Sequence, residues 1–357
     1  MKKLFTVLLL IVTLIIPQLG CNAQDPNNNQ GVSKTSFHLD TVCSVTIYTM
    51  EGLGELSDED QEKEALLLIT DAFELCDDYE KVLSKTIEGS DIDKLNKAGG
   101  GWVTVSDETL ELVKMGKEWG DKSGGVFDIT IGKATDLWNF HDEDDEGNKV
   151  GTVPVQSDLK NAVAHVDYSK IEINGNRVRM ADSQMQLDLG GIAKGYIADK
   201  VTEFLEKKGV TSGVVNLGGN IVVIGQKGAS LSEYGEAADF SVGIGSPTSN
   251  SGELLCTIPG ADMTVVTSGT YERYFEADGK KYHHVLNPKT GYPFDTDLLS
   301  VTIIGTKGNS ALCDVMSTSA LALGREKAVK MIKGYPDVKA VLVNADGEVT
   351  SIGVEID

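Results

Sequence analysis

The stretch Leu187-Asp188-Leu189-Gly190-Gly191-Ile192-Ala193-Lys194-Gly195-Tyr196-Ile197-Ala198-Asp199 has the residue types and spacing of a site that handles anions. It reads as a strand that ends in an acid, turns on two glycines and opens a helix with a lysine in its first turn. Gly190 and Gly191 allow a sharp turn and leave room for a ligand against the main chain. The helix N-terminus behind them offers unpaired N–H groups and partial positive charge, which suit a phosphate. Asp188 and Lys194 bracket one small volume with opposite charges. Strand-to-helix corners also carry Gly-Gly for geometry alone, so this segment does not define a function unaided.

Apolar spacing identifies the elements that would hold the corner. Residues 42–50 alternate as a strand, with Val45 and Ile47 on one face. Across residues 64–83, Leu68, Ala72, Leu75, Tyr79 and Val82 recur at helical spacing. A second helix, capped by Ser106, carries Leu112, Met115 and Trp119 on one side and stops near Gly124-Gly125. Asn174-Gly175 between Ile171-Glu172-Ile173 and Val178-Arg179-Met180 is a hairpin signal. The helix after Lys194 buries Ala198, Val201, Phe204 and Leu205 and stops at Gly209. Short strands are expected at 213–217, 221–225, 240–244, 263–268 and 299–305, then helices over 310–323 and 326–332. Hairpins interleaved with helices predict an α+β fold rather than a doubly wound sheet. No G-x-G-x-x-G follows a first strand, so nothing supports a Rossmann unit.

The N-terminus reads as a leader. Lys2 and Lys3 precede an uncharged apolar run over residues 4–16, then Pro17-Gln18-Leu19-Gly20-Cys21, the layout of a secretory signal peptide. The run is shorter than the roughly 20 residues that span a bilayer. Gly20-Cys21 resembles the lipobox of bacterial lipoproteins, where the cysteine is lipidated, although Gln18 replaces the usual aliphatic residue; the alternative is ordinary cleavage near Ala23. Residues 22–34 are polar and aperiodic, a tether with an r.m.s. span of roughly 20 Å. The expected organisation is therefore signal peptide over 1–20, lipidated cysteine and flexible linker over 21–35, and one domain over 36–357.

The formal charge of −22 becomes −24 when Lys2 and Lys3 leave with the leader. So acidic a chain argues against nucleic-acid binding and requires a local cation for any anionic ligand. Cys43, Cys76, Cys256 and Cys313 form no C-x-x-C pair, which disfavours zinc and favours buried free thiols. The acidic run His141-Asp142-Glu143-Asp144-Asp145-Glu146-Gly147 lacks EF-hand spacing and reads as a solvated insertion.

Four further motifs accompany the opening segment: Ser123-Gly124-Gly125-Val126-Phe127-Asp128-Ile129-Thr130-Ile131-Gly132, Thr267-Ser268-Gly269-Thr270-Tyr271-Glu272-Arg273, His283-His284-Val285-Leu286-Asn287-Pro288-Lys289-Thr290-Gly291 and Cys313-Asp314-Val315-Met316-Ser317-Thr318-Ser319-Ala320. In this order and at these separations they resemble the ApbE family of FAD:protein FMN transferases, across residues 37–354. The resemblance implies an ApbE-like (T-fold-like) single catalytic domain with mixed or antiparallel sheets packed by helices. It implies transfer of FMN from FAD to a Ser or Thr hydroxyl of an acceptor protein, with release of AMP. The alternatives are an FAD pyrophosphatase using the same site and a non-catalytic flavin-binding lipoprotein.

Carried over by position, Asp314, Thr318 and the backbone carbonyl of Gly191 would hold Mg²⁺ against the diphosphate. Asp314 and Thr318 lie at i and i+4, so both oxygens project from one helix face, and magnesium favours such hard ligands. Phe127 and Asp128 would contact the flavin side, Asp188 and Lys194 the nucleotide end, and Ser268, Gly269, His284 and Val285 the remainder. Strand alternation puts His283 and His284 on opposite faces, and the match of His284-Val285-Leu286-Asn287-Pro288 to the family's H-[IV]-[IL]-[DN]-P pattern implies His284 as the site histidine and proton acceptor. The chain departs from the family at Leu39-Asp40-Thr41, where Met-Gly-Thr is usual, and near Lys85-Thr86, where an aromatic is common. The family further implies acceptors in membrane redox complexes of the sodium-pumping NADH:quinone reductase and Rnf types. With a lipid anchor at Cys21, it implies a place on the extracytoplasmic face of the cell membrane.

Overall fold

A computed structural model describes residues 31–52, 57–140, 150–227, 238–249 and 252–356. The leader, Cys21 and the acidic run at 141–147 lie outside the described residues. The chain begins with a hairpin, β1 (Val32–His38) and β2 (Thr41–Met50), and continues through α1 (Asp58–Leu83) and α2 (Asp91–Lys97). After β3 (Val103–Thr104) come α3 (Asp107–Ser123), α4 (Gly132–Thr135) and α5 (Gln156–Val163), then the hairpin β4 (Ile171–Asn174) and β5 (Arg177–Met180). The central helix α6 (Ala193–Lys207) leads into β6 (Val210–Leu217) and β7 (Asn220–Ile224). Next are β8 (Phe240–Gly245), β9 (Leu254–Gly260), β10 (Met263–Gly269), β11 (Tyr274–Ala277), β12 (Lys280–His283) and β13 (Leu298–Thr306). The chain closes with α7 (Ser310–Leu323), α8 (Arg325–Ile332), β14 (Lys339–Asn344) and β15 (Val349–Ile352).

Eight strands form one sheet in the order β1-β2-β6-β7-β10-β13-β14-β15, every neighbouring pair antiparallel. Strand alternation gives the sheet two apolar faces. On one, Val45, Ile47, Val266 and Ile303 share a buried cluster with Ile69 of α1, Val201 of α6 and Met316 of α7. On the other, Val265, Ile304 and Val341 pack under Phe240, Val242 and Ile258 of the β8–β9 hairpin. The α+β expectation holds, and parallel pairing is confined to an isolated bridge between Ile131 and Gln186 among the described residues. Within those residues, no helix is long and apolar enough to cross a membrane.

Several elements differ from expectation for identifiable reasons. The helix expected from residue 64 starts at Asp58, because Ser57 caps it by accepting the Asp60 N–H at 3.3 Å. Its first turn is polar and leaves no apolar period to read. The linker expected through residue 35 is strand from Val32, since β1 is an edge strand whose polar residues pair along β2 while their side chains face solvent. The turn joining those strands is Leu39-Asp40, both in the left-handed region at φ 53° and 57°, where glycine is the unstrained choice. Cys43, Cys76 and Cys313 are buried free thiols, but Cys256 is only half-buried. Burial pushes the Cys43 thiol up to about 11 and Cys76 to about 12.

Candidate active site

The Gly190-Gly191 corner forms as expected, but its glycines act through space rather than through φ, since neither has a positive φ. A Cβ on Gly191 would lie 3.0 Å from the Phe127 ring and 3.8 Å from Thr318 Cγ2, so this main chain sits directly against α7. The corner is anchored by Asp188, whose Oδ1 accepts the Gly190 N–H at 2.8 Å and whose Oδ2 accepts the Thr135 hydroxyl at 2.8 Å. Lys85 Nζ pairs with the same Oδ2 at 3.0 Å and with Asp136 at 2.6 Å. Burial pushes the Asp188 carboxyl up, but Lys85 and the two hydrogen bonds outweigh it and hold the group below its usual range. Asp188 is therefore paired with Lys85 rather than with Lys194. Its charge is spent on Lys85, at the position where the family's aromatic is absent.

The helix N-terminus is only in part an open anion cradle. Ile192, the residue preceding α6, makes no side-chain cap. The Gly195 N–H is instead taken by Asp314 Oδ2 at 2.9 Å, and that of Ala193 by the Leu189 carbonyl at 2.9 Å. Asp314, 5% exposed, lies one helical turn before Thr318 on α7. Its Oδ1 has no hydrogen-bond partner among the described residues. Burial pushes this carboxyl up, opposed by the Lys194 charge and the Gly195 N–H. Lys194 itself makes no ion pair or hydrogen bond among the described residues, so its charge stays available beside Asp314. Ser268, at the end of β10, reaches α7 through Ser317 Oγ at 2.8 Å and Thr318 Oγ1 at 3.3 Å.

His284 follows β12 and is half-buried. Both its backbone N–H and Nδ1 lie near the Arg273 carbonyl, at 3.1 and 3.2 Å. A carbonyl only accepts, so Nδ1 carries the proton and Nε2 keeps its lone pair. Burial, then the Arg273 guanidinium, pushes the imidazole down to about 3, with Lys194 and His283 adding to the effect. Arg273 also donates to the Asp40 carbonyl at 3.1 Å, tying the left-handed turn to the His284 segment. His283 is not a surface residue. It is buried, donating from Nε2 to the Phe294 carbonyl at 3.1 Å while Nδ1 accepts the Val285 N–H at 3.3 Å.

The flavin-side expectations divide. Phe127 is buried with its ring beneath Gly191. Asp128 is committed elsewhere: Oδ1 accepts the Thr130 N–H and hydroxyl at 2.8 and 2.6 Å, and Oδ2 accepts the Tyr168 N–H at 3.1 Å. It fastens the loop after α3 rather than facing a ligand. Val285 belongs to the main core beside His284, and Gly269 closes β10 against the Tyr271 ring. Sequence reasoning missed Lys85, Ser317 and Arg273. The signal for Ser317 was a Ser-Thr-Ser run, poor helix formers, inside a buried helix.

The cluster is a set of hard oxygen donors with one adjacent free ammonium, on an α+β scaffold. Among the described residues no group of three or more His, Cys, Asp or Glu is placed to hold a metal. A carboxylate, a hydroxyl and a main-chain corner instead suit a small cation that keeps coordination positions for phosphate and water. A buried carboxylate with one bonded oxygen is a charge that such a cation relieves.

Architecture and cluster together define an α+β protein with hard oxygen donors and a free ammonium where two helices cross. The chain matches the model of the ApbE family over residues 39–342 and belongs to that family. It is 31% identical to an FAD:protein FMN transferase of Treponema pallidum (strain Nichols), covering 91% of this chain and 88% of that one. Another FAD:protein FMN transferase, from Klebsiella pneumoniae (strain 342), is 32% identical over 79% of this chain and 84% of its own. Among solved structures, an ApbE protein from Thermotoga maritima superposes with a TM-score of 0.76 at 26% identity, covering 91% of this chain and 97% of its own. The apo flavinyl transferase ApbE of Pseudomonas stutzeri gives 0.72 at 27% identity, over 90% and 95%.

The Lys85–Asp188 pair yields a stability prediction. Lys85→Met leaves Asp188 without its cation and should cost about 3 kcal/mol in denaturant unfolding. The contribution of a depressed carboxyl is present above its unfolded value near 3.9 and is lost as pH falls through the folded value. The variant should therefore lose that part of the acid dependence, and an unchanged unfolding midpoint at pH 7 would show that the pair carries no such energy.

Proposed function

We propose that this protein is an FAD:protein FMN transferase. A Ser or Thr hydroxyl of an acceptor protein attacks the FMN-side phosphorus of FAD. The new P–O bond forms as the bond to the AMP phosphate breaks, AMP departs, and FMN remains on the acceptor as a phosphoester. The observation that carries this reading is the convergence of Asp314, Thr318, Gly191 and unpaired Lys194 at one corner of a chain in this family.

Asp314, Thr318 and the Gly191 carbonyl would hold Mg²⁺, which neutralises diphosphate charge when bound. Lys194 adds a second positive charge on the same side. Ser268, bonded to both Ser317 Oγ and Thr318 Oγ1, keeps the Thr318 hydroxyl oriented. Phe127, Gly269 and Val285 supply apolar and main-chain contact for the flavin side. Little covalent work falls to the protein, so orientation and charge neutralisation dominate the rate. His284 accepts the hydroxyl proton at Nε2, the nitrogen left unprotonated by the bond to Arg273.

Mixing the protein with FAD, Mg²⁺ and an acceptor domain should give a fluorescent acceptor on a denaturing gel with AMP released in step. FMN and AMP without labelled acceptor would make it a pyrophosphatase, and unchanged FAD a binding protein. Asp314→Ala should lower transfer by more than about a hundredfold, beyond what loss of a group behind a metal ligand costs.

A second outcome concerns pH. His284 stays neutral at any pH well above about 3, so kcat/KM should show no acidic limb near 6.5 from this group. An inflection there that disappears in His284→Gln would refute the assignment of a neutral base.

The leader supports lipid attachment at Cys21 and a place on the extracytoplasmic membrane face, where acceptor subunits of sodium-pumping NADH:quinone reductase or Rnf-type complexes present their hydroxyls. Cys21→Ser should shift the protein from the membrane to the soluble fraction, and unchanged membrane retention would exclude the anchor.

A further inference from the structure

Helices α6 and α7 each begin without a cap of their own. Ile192 makes no side-chain bond to α6, and Asn309 makes none to α7, its amide turning back to Thr306 at 2.8 Å. Each helix is capped by the other. Asp314 of α7 takes the Gly195 N–H of α6 at 2.9 Å. In return Asp199 of α6 takes the first two N–H groups of α7, with Oδ1 on Ser310 at 2.9 Å and Oδ2 on Ala311 at 3.0 Å. Receiver and donor are four residues apart on both helices, Gly195 and Asp199 on one, Ser310 and Asp314 on the other. A Cβ on Gly195 would meet the Ser310 carbonyl at 2.4 Å, so the crossing tolerates only glycine at that point.

We propose that Asp199 is a positioning residue for the cation site, acting through the first turn of α7. The inference rests on the reading of Asp314 and Thr318 as cation ligands. Asp314 lies one turn beyond the amides that Asp199 holds, and Thr318 one turn further. Asp199 is the side chain that fixes the start of this helix, and a carboxylate astride two N-terminal amides satisfies both the orphan donors and the helix dipole. Releasing it lets the first turn of α7 shift against α6. Gly191, attached to the start of α6, and Asp314, attached to α7, then lose their common frame. The Asp199 oxygens are held by the Ser310 and Ala311 amides rather than by the ligand residues Asp314 and Thr318. Its effect is on the alignment of ligands that two helices supply.

The test is Asp199→Asn, which keeps the size of the side chain but presents an NH₂ to one of two N–H groups. Mn²⁺, standing in for Mg²⁺, is titrated into protein plus FAD and followed by electron paramagnetic resonance, with a thermal melt alongside. The variant should bind Mn²⁺ about tenfold more weakly, the range for groups that orient metal ligands. The Mg²⁺ needed for half-maximal transfer should rise by the same factor, with transfer at saturating Mg²⁺ within about threefold of wild type. Unchanged Mn²⁺ affinity would overturn the proposal, whether or not the melting temperature falls, because a purely structural cap would leave affinity alone. Should Asp199→Asn not fold, the same titration on Asp199→Glu, which displaces both oxygens by a methylene, decides it in the same way. Mn²⁺ binding is read without acceptor, so a failure to label an acceptor counts against the transferase reading alone.

Discussion

Asp314 divides its two oxygens between architecture and chemistry. One closes the open N-terminus of α6, and the other has no hydrogen-bond partner among the described residues. The placement of Lys194, Gly191 and Thr318 follows from this bond and its reciprocal from Asp199, which set the start of α6 against the start of α7 across a crossing only glycine permits. A typical helix cap contributes about 1 kcal/mol. Here the caps lie between helices, so their energy is invested in relative position rather than in helix length. The strands that follow α6 and precede α7 then carry the same frame into the sheet.

Charge is distributed with the same economy. The chain is strongly acidic, and the basic groups near the cluster are mostly neutralised. Lys85 is absorbed by Asp188 and Asp136, and Arg273 is turned toward Asp40. Lys194 alone among them has no partner within the described residues. The Lys194 charge eases the burial of the Asp314 carboxylate without engaging it in an ion pair, so both groups keep free valence. Depression of the imidazole of His284 has the same origin, since burial and two nearby cations disfavour a third positive charge.

What could be read in the sequence was whatever left a periodic or local trace. The span of α7, Ser310–Leu323, follows from its apolar run and the stop at Gly324, and the β4–β5 hairpin from Asn174-Gly175. β1 was hidden because an edge strand of polar residues has no alternation. β11 was hidden because a four-residue strand is too short to show one, and β12 was legible only as the strand that carries His283. At the site, Asp314 and Thr318 were visible as an i, i+4 pair. The roles of Asp188 and Asp128 were not, because acids look alike in sequence whether they face a ligand or hold Lys85 or a loop amide. The partners that distinguish them lie far away along the chain: Lys85 for Asp188, Tyr168 for Asp128. Long-range pairing of this kind leaves no spacing to read.

The buried thiols bear on how the chain meets an oxidant. Burial pushes the Cys43 thiol up to about 11 and Cys76 to about 12, so the nucleophilic thiolate that attacks disulfides is scarce near neutral pH. In the unfolded chain the same sulfurs are exposed with ordinary acidity. Resistance to oxidation is thus a property acquired on folding, and the interval before the core closes is when wrong cross-links can form.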